Sequence, residues 1–190
     1  MSVGAACPKN RLDSTICLRE RRETGDNTLN ENVNIRVLFI CMGNICRSPT
    51  AQGVFEYLVE ESGMSERIHV DSAGTHAYHV GEKPDKRATQ AAAGRGIDLS
   101  RQRARRVEPA DFERFDYLLA MDSSNLEDLI DACPPEHRNK LRLFLEFAED
   151  PYQREVPDPY YGGHQGFERV LDLIEVGASA LLEDVKRRLI

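Results

Sequence analysis

Ile35-Arg-Val-Leu-Phe-Ile-Cys41-Met-Gly-Asn-Ile-Cys-Arg47-Ser-Pro-Thr50 divides into three parts with different physics. Ile35–Ile40 is a short run rich in branched and aromatic apolar residues, the composition of a strand buried on both faces. The run stops at Cys41. Ser48 and Pro49 then read as a helix start, with Ser48 as the cap and Pro49 in the first turn, where a missing N–H costs nothing. Between these, Gly43 permits positive φ, and Asn44 is among the few other residues that tolerate the left-handed region. Residues 42–46 (Met42, Gly43, Asn44, Ile45 and Cys46) therefore predict a loop that turns successive N–H groups inward as an anion nest.

Five residues separate Cys41 from Arg47. That spacing arises easily by chance; the surrounding Gly-Asn-Ser-Pro context gives it meaning. A thiol at the tip of a strand, facing a helix N-terminus and a guanidinium, sits where negative charge is favoured, and the thiolate is favoured with it. Arg47 supplies a planar fork that grips two oxygens of a tetrahedral anion, which a lysine does not reproduce. These features imply phosphate-ester hydrolysis through a phosphocysteine on Cys41, a chemistry that calls for no metal and no cofactor.

Outward from this segment, strand and helix signals alternate. Strands are predicted at Ile35–Ile40, Ile68–Ser72, Tyr117–Met121 and Leu141–Leu145, and helices at Ser48–Glu61, Pro84–Arg95, Ser123–Ala132 and Gln165–Leu189. In the last helix Phe167, Val170, Leu171, Ile174, Ala178, Leu181, Leu182 and Val185 recur at helical intervals. The alternation predicts an α/β fold: a single-domain three-layer sandwich, a four-stranded parallel sheet with helices on both faces, and a phosphate-binding loop after the first strand. Ligands then sit beyond the carboxyl ends of the strands. Cys41, Asp71-Ser72 and Asp122 all read as strand ends meeting on that rim.

The composition suits this architecture. A chain of 190 residues, 41% hydrophobic and 30% charged, can build one well-filled core. No apolar stretch approaches a membrane span and the N-terminus has no signal-peptide core, so a membrane protein is not expected. The net charge of −7 argues against a nucleic-acid binder. Five cysteines without a small-domain disulfide pattern point to a reducing compartment, the cytoplasm. Residues 1–34 lack aromatic residues, balance their charges and are rich in turn formers, so a disordered extension is expected there, with a short helix conceivable over Arg11–Arg22. His76 and His79 lie in a loop without nearby thiolates and do not predict a zinc site. The basic run Arg101-Gln-Arg-Ala-Arg-Arg106 reads as a solvated face, with steering of anionic phosphoproteins as its rival.

Further segments match a known family. Asp71-Ser-Ala-Gly-Thr75, Gly81-Glu-Lys-Pro-Asp-Lys-Arg-Ala88, Gly96-Ile-Asp-Leu-Ser100, Ala120-Met-Asp-Ser-Ser-Asn125 and Asp158-Pro-Tyr-Tyr161 follow the Cys41–Arg47 loop in order. With that loop, the chain from about Ile35 to Ile190 resembles the low-molecular-weight protein tyrosine phosphatases, as a bacterial-type member. The resemblance implies a phosphatase domain over 35–190 that hydrolyses phosphotyrosine and small aryl phosphates. It implies Asp158 as general acid and then base; taken alone, Asp158 is a carboxylate on a Pro-stiffened loop, equally suited to a turn or a cap. Tyr160 and Tyr161, with Tyr78 opposite and Ile45 on the loop, are expected to form the pocket wall. Asn44, Ser48 and Ser72 resemble the family's loop-supporting network, with Gln102 where many members carry a histidine. Asp122 reads as a scaffold residue of the rim or simply as a helix N-terminal carboxylate. Cys46 reads as a redox partner for Cys41 or as a packed thiol. The implied partners are phosphotyrosine proteins, among them a tyrosine kinase, with phosphate and other oxyanions as product or inhibitor.

Three rival readings differ from this one in particular residues. Arginine phosphatases of the same superfamily tend to carry threonine where this chain has Ile45, and an apolar side chain there favours a phenyl ester. A non-catalytic phosphopeptide-binding or redox-sensing module would be expected to lack the thiol or the acid, and both are present. Arsenate reduction needs a downstream cysteine pair, and only Cys133 lies downstream.

Overall fold

The computed structural model describes residues 35–189, apart from 149, 151 and 161. The expected extension over 1–34 and the short helix at Arg11–Arg22 lie outside the described residues. Four parallel strands, β1 (Ile35–Cys41), β2 (Ile68–Gly74), β3 (Tyr117–Ala120) and β4 (Leu141–Leu143), form one sheet in the order β2-β1-β3-β4. β1 is central, and its alternating side chains feed two cores. Val37, Phe39 and Cys41 face the layer of α1 (Arg47–Glu61), α2 (Lys86–Gly94) and α5 (Gly163–Leu189). Leu38 and Ile40 face α3 (Pro109–Arg114) and α4 (Ser123–Ala132). This is the expected three-layer α/β sandwich, and its two-sided burial explains why β1 is apolar throughout.

The register carries the geometry of the site. Cys41 lies opposite Gly74 on β2, and Ile40 lies opposite Ala120 on β3, so the loops after β1, β2 and β3 emerge on one edge. All eight apolar residues anticipated for the last helix are buried, in the same core as Val37 and Phe39 of β1. Phe39 anchors that layer through edge-on contacts with Phe55 and Phe144, centroids 5.7 and 5.1 Å apart. Among the described residues no helix is long and apolar enough to cross a membrane.

Several boundaries differ from the sequence reading. The segment Leu141–Leu145 splits: Leu141–Leu143 pairs with β3, while Phe144–Ala148 winds into a 3₁₀ turn that packs Phe144 and Leu145 beneath α5. Asp71 and Ser72 lie inside β2, opposite Leu38 and Phe39; the strand ends two residues later, at Gly74. α2 begins at Lys86 because Asp85 caps it, accepting from Arg87 N at 2.7 Å. The short α3, closed by a Glu108–Asp111 capping box, was not anticipated; six residues are too few to display a hydrophobic period.

Candidate active site

β1 delivers Cys41, 3% exposed, to the edge of the sheet. The loop that follows is held open by its carbonyls, each taken by a different neighbour. Thr75 N donates to Cys41 O at 2.9 Å, His76 N to Met42 O at 3.0 Å, Asp85 N to Ile45 O at 2.7 Å and Thr50 Oγ1 to Cys46 O at 2.7 Å. With these oxygens drawn outward, the loop N–H groups are left for the inside. Asn44 N donates to Cys41 Sγ at 3.3 Å, and the N–H groups of Gly43, Ile45 and Cys46 have no protein acceptor among the described residues.

Asn44 is the residue with positive φ in this loop, at 54°. Gly43 does not take the left-handed conformation that its sequence context suggested. It leaves room instead: a Cβ there would lie 3.0 Å from the His79 ring, which would have to give way by a few tenths of an ångström. A second close approach went unseen in the sequence. A Cβ on Gly74 would meet Met42 O at 2.7 Å, so glycine lets the end of β2 lie against the loop.

The buried Asn44 side chain is the hub of the supporting network. Its Nδ2 donates to Ser48 Oγ and Ser72 Oγ, both at 2.9 Å, and its Oδ1 accepts from Arg105 N at 2.9 Å. Ser48 is not the helix cap. α1 begins one residue earlier, at Arg47, and the Ser48 hydroxyl turns back to within 3.1 Å of Cys41 Sγ. Ser48 Oγ accepts from Asn44, and its single hydrogen has two acceptors in reach, Cys41 Sγ and, at 3.3 Å, Ala73 O.

Ser72 continues the network, but not to Gln102. It donates to Gln52 Oε1 at 2.7 Å, and Gln52 Nε2 passes the chain to Glu56 Oε1 at 2.8 Å. The Gln102 amide is buried with no partner among the described residues, so its expected role in the network is not realised. Gln52, one turn along α1 from Ser48, occupies that bond. Nothing in the sequence distinguished one glutamine from the other. The basic run is likewise only partly a solvated face. Arg105 reaches inward to Asp71 and Asp111 at 2.9 and 2.8 Å, which fixes the backbone that holds Asn44.

Arg47, 3% exposed, points into the same cavity as Cys41. Its Nη1 donates to Asp122 Oδ2 and, at 3.1 Å, to Val156 O. Burial opposes the charge, but Cys41, Asp122 and Asp158 outweigh it and raise the guanidinium pKa further. Both readings of Asp122 hold together. One carboxylate oxygen caps α4 through Asn125 N at 2.8 Å, and the other fixes Arg47.

Asp158 arrives from the loop before α5. Its Oδ2 lies 3.8 Å from Arg47 Nη2, and its Oδ1 accepts from Tyr160 N at 3.0 Å. Upstream, Val156 N is pinned to Met121 O at 2.8 Å. The resulting cavity holds about 300 Å³ and is lined by Cys41, Met42, Gly43, Ile45, Cys46, Arg47, Tyr78, His79, Asp158 and Tyr160. Tyr78 and Tyr160 stand exposed at its mouth, Tyr78 stacked on His76 at 5.2 Å. Tyr161 lies outside the described residues. His79, which the sequence reading considered only as a zinc ligand, is a wall residue bonded to Glu82 Oε2 at 2.8 Å. Among the described residues no group of three or more His, Cys, Asp or Glu side chains could hold a metal ion. Cys46 is buried, and desolvation, with Asp85 and Cys41 adding to it, pushes its thiol up to about 12.

A buried sulfur facing loop amides and a fixed guanidinium, with a carboxylate across the cavity, is an arrangement that can hold an oxyanion against a nucleophile. Residues 36–189 match the model of the low molecular weight phosphotyrosine protein phosphatases, and the chain belongs to that family. It is 37% identical over 153 residues to the low molecular weight protein-tyrosine-phosphatase YfkJ of Bacillus subtilis, covering 80% of this chain and 97% of that protein. With the human low molecular weight phosphotyrosine protein phosphatase it shares 43% over 141 residues, 74% of this chain and 89% of the other. Among solved structures, an Entamoeba histolytica protein tyrosine phosphatase with Hepes in its active site superposes with a TM-score of 0.79 at 37% identity, covering 83% of this chain and 100% of that one.

Proposed function

We propose that this phosphatase hydrolyses phosphotyrosine in proteins, and small aryl phosphates, through a phosphocysteine on Cys41 with Asp158 as proton donor. The observation that carries the reading is that Cys41, Arg47 and Asp158 line one cavity flanked by two tyrosine rings. The Cys41 thiolate attacks phosphorus in line, the P–O bond to the phenol breaks, and the departing oxygen takes the proton of Asp158. Water then attacks the phosphocysteine, giving its proton to the Asp158 carboxylate; the S–P bond breaks and phosphate leaves. Charge on the phosphoryl oxygens is met by the loop N–H groups and by Arg47, which Asp122 and Val156 O hold in place. Ser48 steadies the sulfur throughout.

Ile45 on the cavity wall suits an apolar phenyl ring better than a guanidino-phosphate, which supports tyrosine over arginine as the phosphorylated side chain. The clients are then phosphotyrosine proteins, a tyrosine kinase among them, and a reactive thiol suits the reducing cytoplasm. Cys46 shares the cavity with Cys41; it is the thiol that would displace hydroxide from a Cys41 sulfenic acid, releasing water as the disulfide forms. The test is hydrolysis of phosphotyrosine and phosphoarginine peptides in competition by wild type, Cys41→Ser and Asp158→Ala. Wild type should prefer phosphotyrosine, Cys41→Ser should be inert, and Asp158→Ala should lose ~10²–10⁴ in rate. Activity retained by Cys41→Ser would overturn the mechanism, and a preference for phosphoarginine would overturn the substrate.

A further inference from the structure

The two loops that meet over Cys41 are tied to one surface arginine. Arg87, in the first turn of α2, grips both oxygens of Asp85 through Nε and Nη2 at 3.1 and 2.9 Å. Asp85 in turn donates its backbone N–H to Ile45 O, on the phosphate-binding loop, at 2.7 Å. On its other side Arg87 Nη1 donates to Tyr160 O at 3.3 Å, two residues beyond Asp158. The guanidinium carbon lies 5.1 Å from the centre of the Tyr160 ring and 4.7 Å from that of Phe167, a buried anchor of α5. A path Ile45–Asp85–Arg87–Tyr160 therefore crosses from the loop of the nucleophile to the loop of the proton donor.

We propose that Arg87 is a positioning residue whose strut to Asp85 and Tyr160 sets the separation between the phosphate-binding loop and the Asp158 carboxyl. The inference rests on the reading of Asp158 as general acid. Val156 is fixed upstream by Met121 O and by Arg47, and Arg87 restrains the downstream limb. An arginine is needed because a planar fork can chelate a carboxylate while its faces stack on aromatic rings; a lysine offers only a point charge. A proton donor must lie within hydrogen-bond reach of the leaving oxygen, and a displacement of about 1 Å can cost 10²-fold.

The test is the dependence of kcat/KM on the leaving group, since that ratio reports formation of the phosphocysteine. Wild type, Arg87→Met, Arg87→Lys, Asp85→Asn and Asp158→Asn are compared on aryl phosphates from nitrophenyl to phenyl, the last leaving as a phenol of pKa about 10, like tyrosine. Nitrophenolate departs with little need of a proton. Arg87→Met should fall up to about 10²-fold on phenyl phosphate but only severalfold on nitrophenyl phosphate, and Arg87→Lys should not restore the wild-type slope. Asp85→Asn keeps a cap oxygen for α2 but gives up the paired carboxylate, and should steepen the slope in the same sense; it decides the matter if Arg87→Met fails to fold by circular dichroism. A wild-type slope in Arg87→Met and Asp85→Asn, with Asp158→Asn steep, removes the strut and leaves the acid standing. A wild-type slope in Asp158→Asn removes the acid and the strut with it.

Discussion

Replacing Asn44 in two ways separates its backbone strain from its side-chain bonds. Asn44→Gly keeps an easy left-handed backbone and deletes the amide. Arg105 N–H then loses its acceptor, whereas Ser48 Oγ retains Ala73 O at 3.3 Å and Ser72 Oγ retains Gln52. One orphaned donor and two weakened hydroxyls sum to about 2–4 kcal/mol of stability. Asn44→Ala loses the same bonds and must also hold a Cβ at φ 54°, which costs about 1–2 kcal/mol. Glycine's freer unfolded chain offsets about 0.4–1 kcal/mol of that difference. The alanine variant should therefore be about 1 kcal/mol less stable than the glycine variant, read as urea midpoints at an unchanged m-value. Both should lose about 10²-fold in kcat/KM on an aryl phosphate, because Ser48 and the loop no longer hold the sulfur in register. If alanine proves as stable as glycine, the left-handed turn is not the conformation in solution. If Asn44→Gly keeps wild-type kinetics, the network does not position the nucleophile.

Three further outcomes follow from the same geometry. Asp122→Asn should destabilise the protein by about 3–5 kcal/mol by leaving the Arg47 charge buried without its close partner; added phosphate should raise the melting temperature of this variant more than that of wild type, as the anion takes over as counter-charge. Gln52→Ala should cost about 1 kcal/mol and lower kcat/KM, whereas Gln102→Leu should be neutral or stabilising, because its amide has no partner to lose; urea melts and aryl phosphate kinetics on the two side by side would expose a reversed assignment. Cys46 titrates near 9 without its surroundings and about 12 in the fold. Above pH about 9 the unfolded chain releases a proton that the folded chain keeps, so stability is full below that pH and falls as pH rises, by up to about 1.4 kcal/mol per unit. The urea midpoint of Cys46→Ala should decline less steeply over that range, and parallel declines would show that this thiol is not the group responsible.

The glutamine exchange and the arginine run mark where local reading stopped. Gln102 and Gln52 are chemically equivalent, and only the packing of α1 against the 97–99 segment decides which amide meets Ser72. A Cβ on Gly53 would strike Leu99 at 2.4 Å, which measures how close that approach is. Arg105 sits in a run that composition assigns to solvent, yet its neighbours Asp71 and Asp111 come from β2 and α3. Gly43 was read for its freedom to take positive φ, which it does not use; what it meets instead is the His79 ring, a close approach that leaves no trace in nearby residues.

From the chain alone came everything that depends on neighbours a few positions apart. The buried central strand, the turn at Asn44, the thiol and guanidinium separated by one loop, and the apolar stripe of α5 are short-range patterns, and short-range backbone sterics and burial fix them. The tertiary structure alone decided which distant groups meet. Sheet order sets β3 beside β1, and so Asp122 against Arg47; the long excursion after β4 returns Val156 and Asp158 to the same guanidinium; Arg87 joins that excursion to the loop. Strand ends and family motifs singled out Asp122 and Asp158 among many chemically similar carboxylates, but only the closure of the fold brings both beside Arg47.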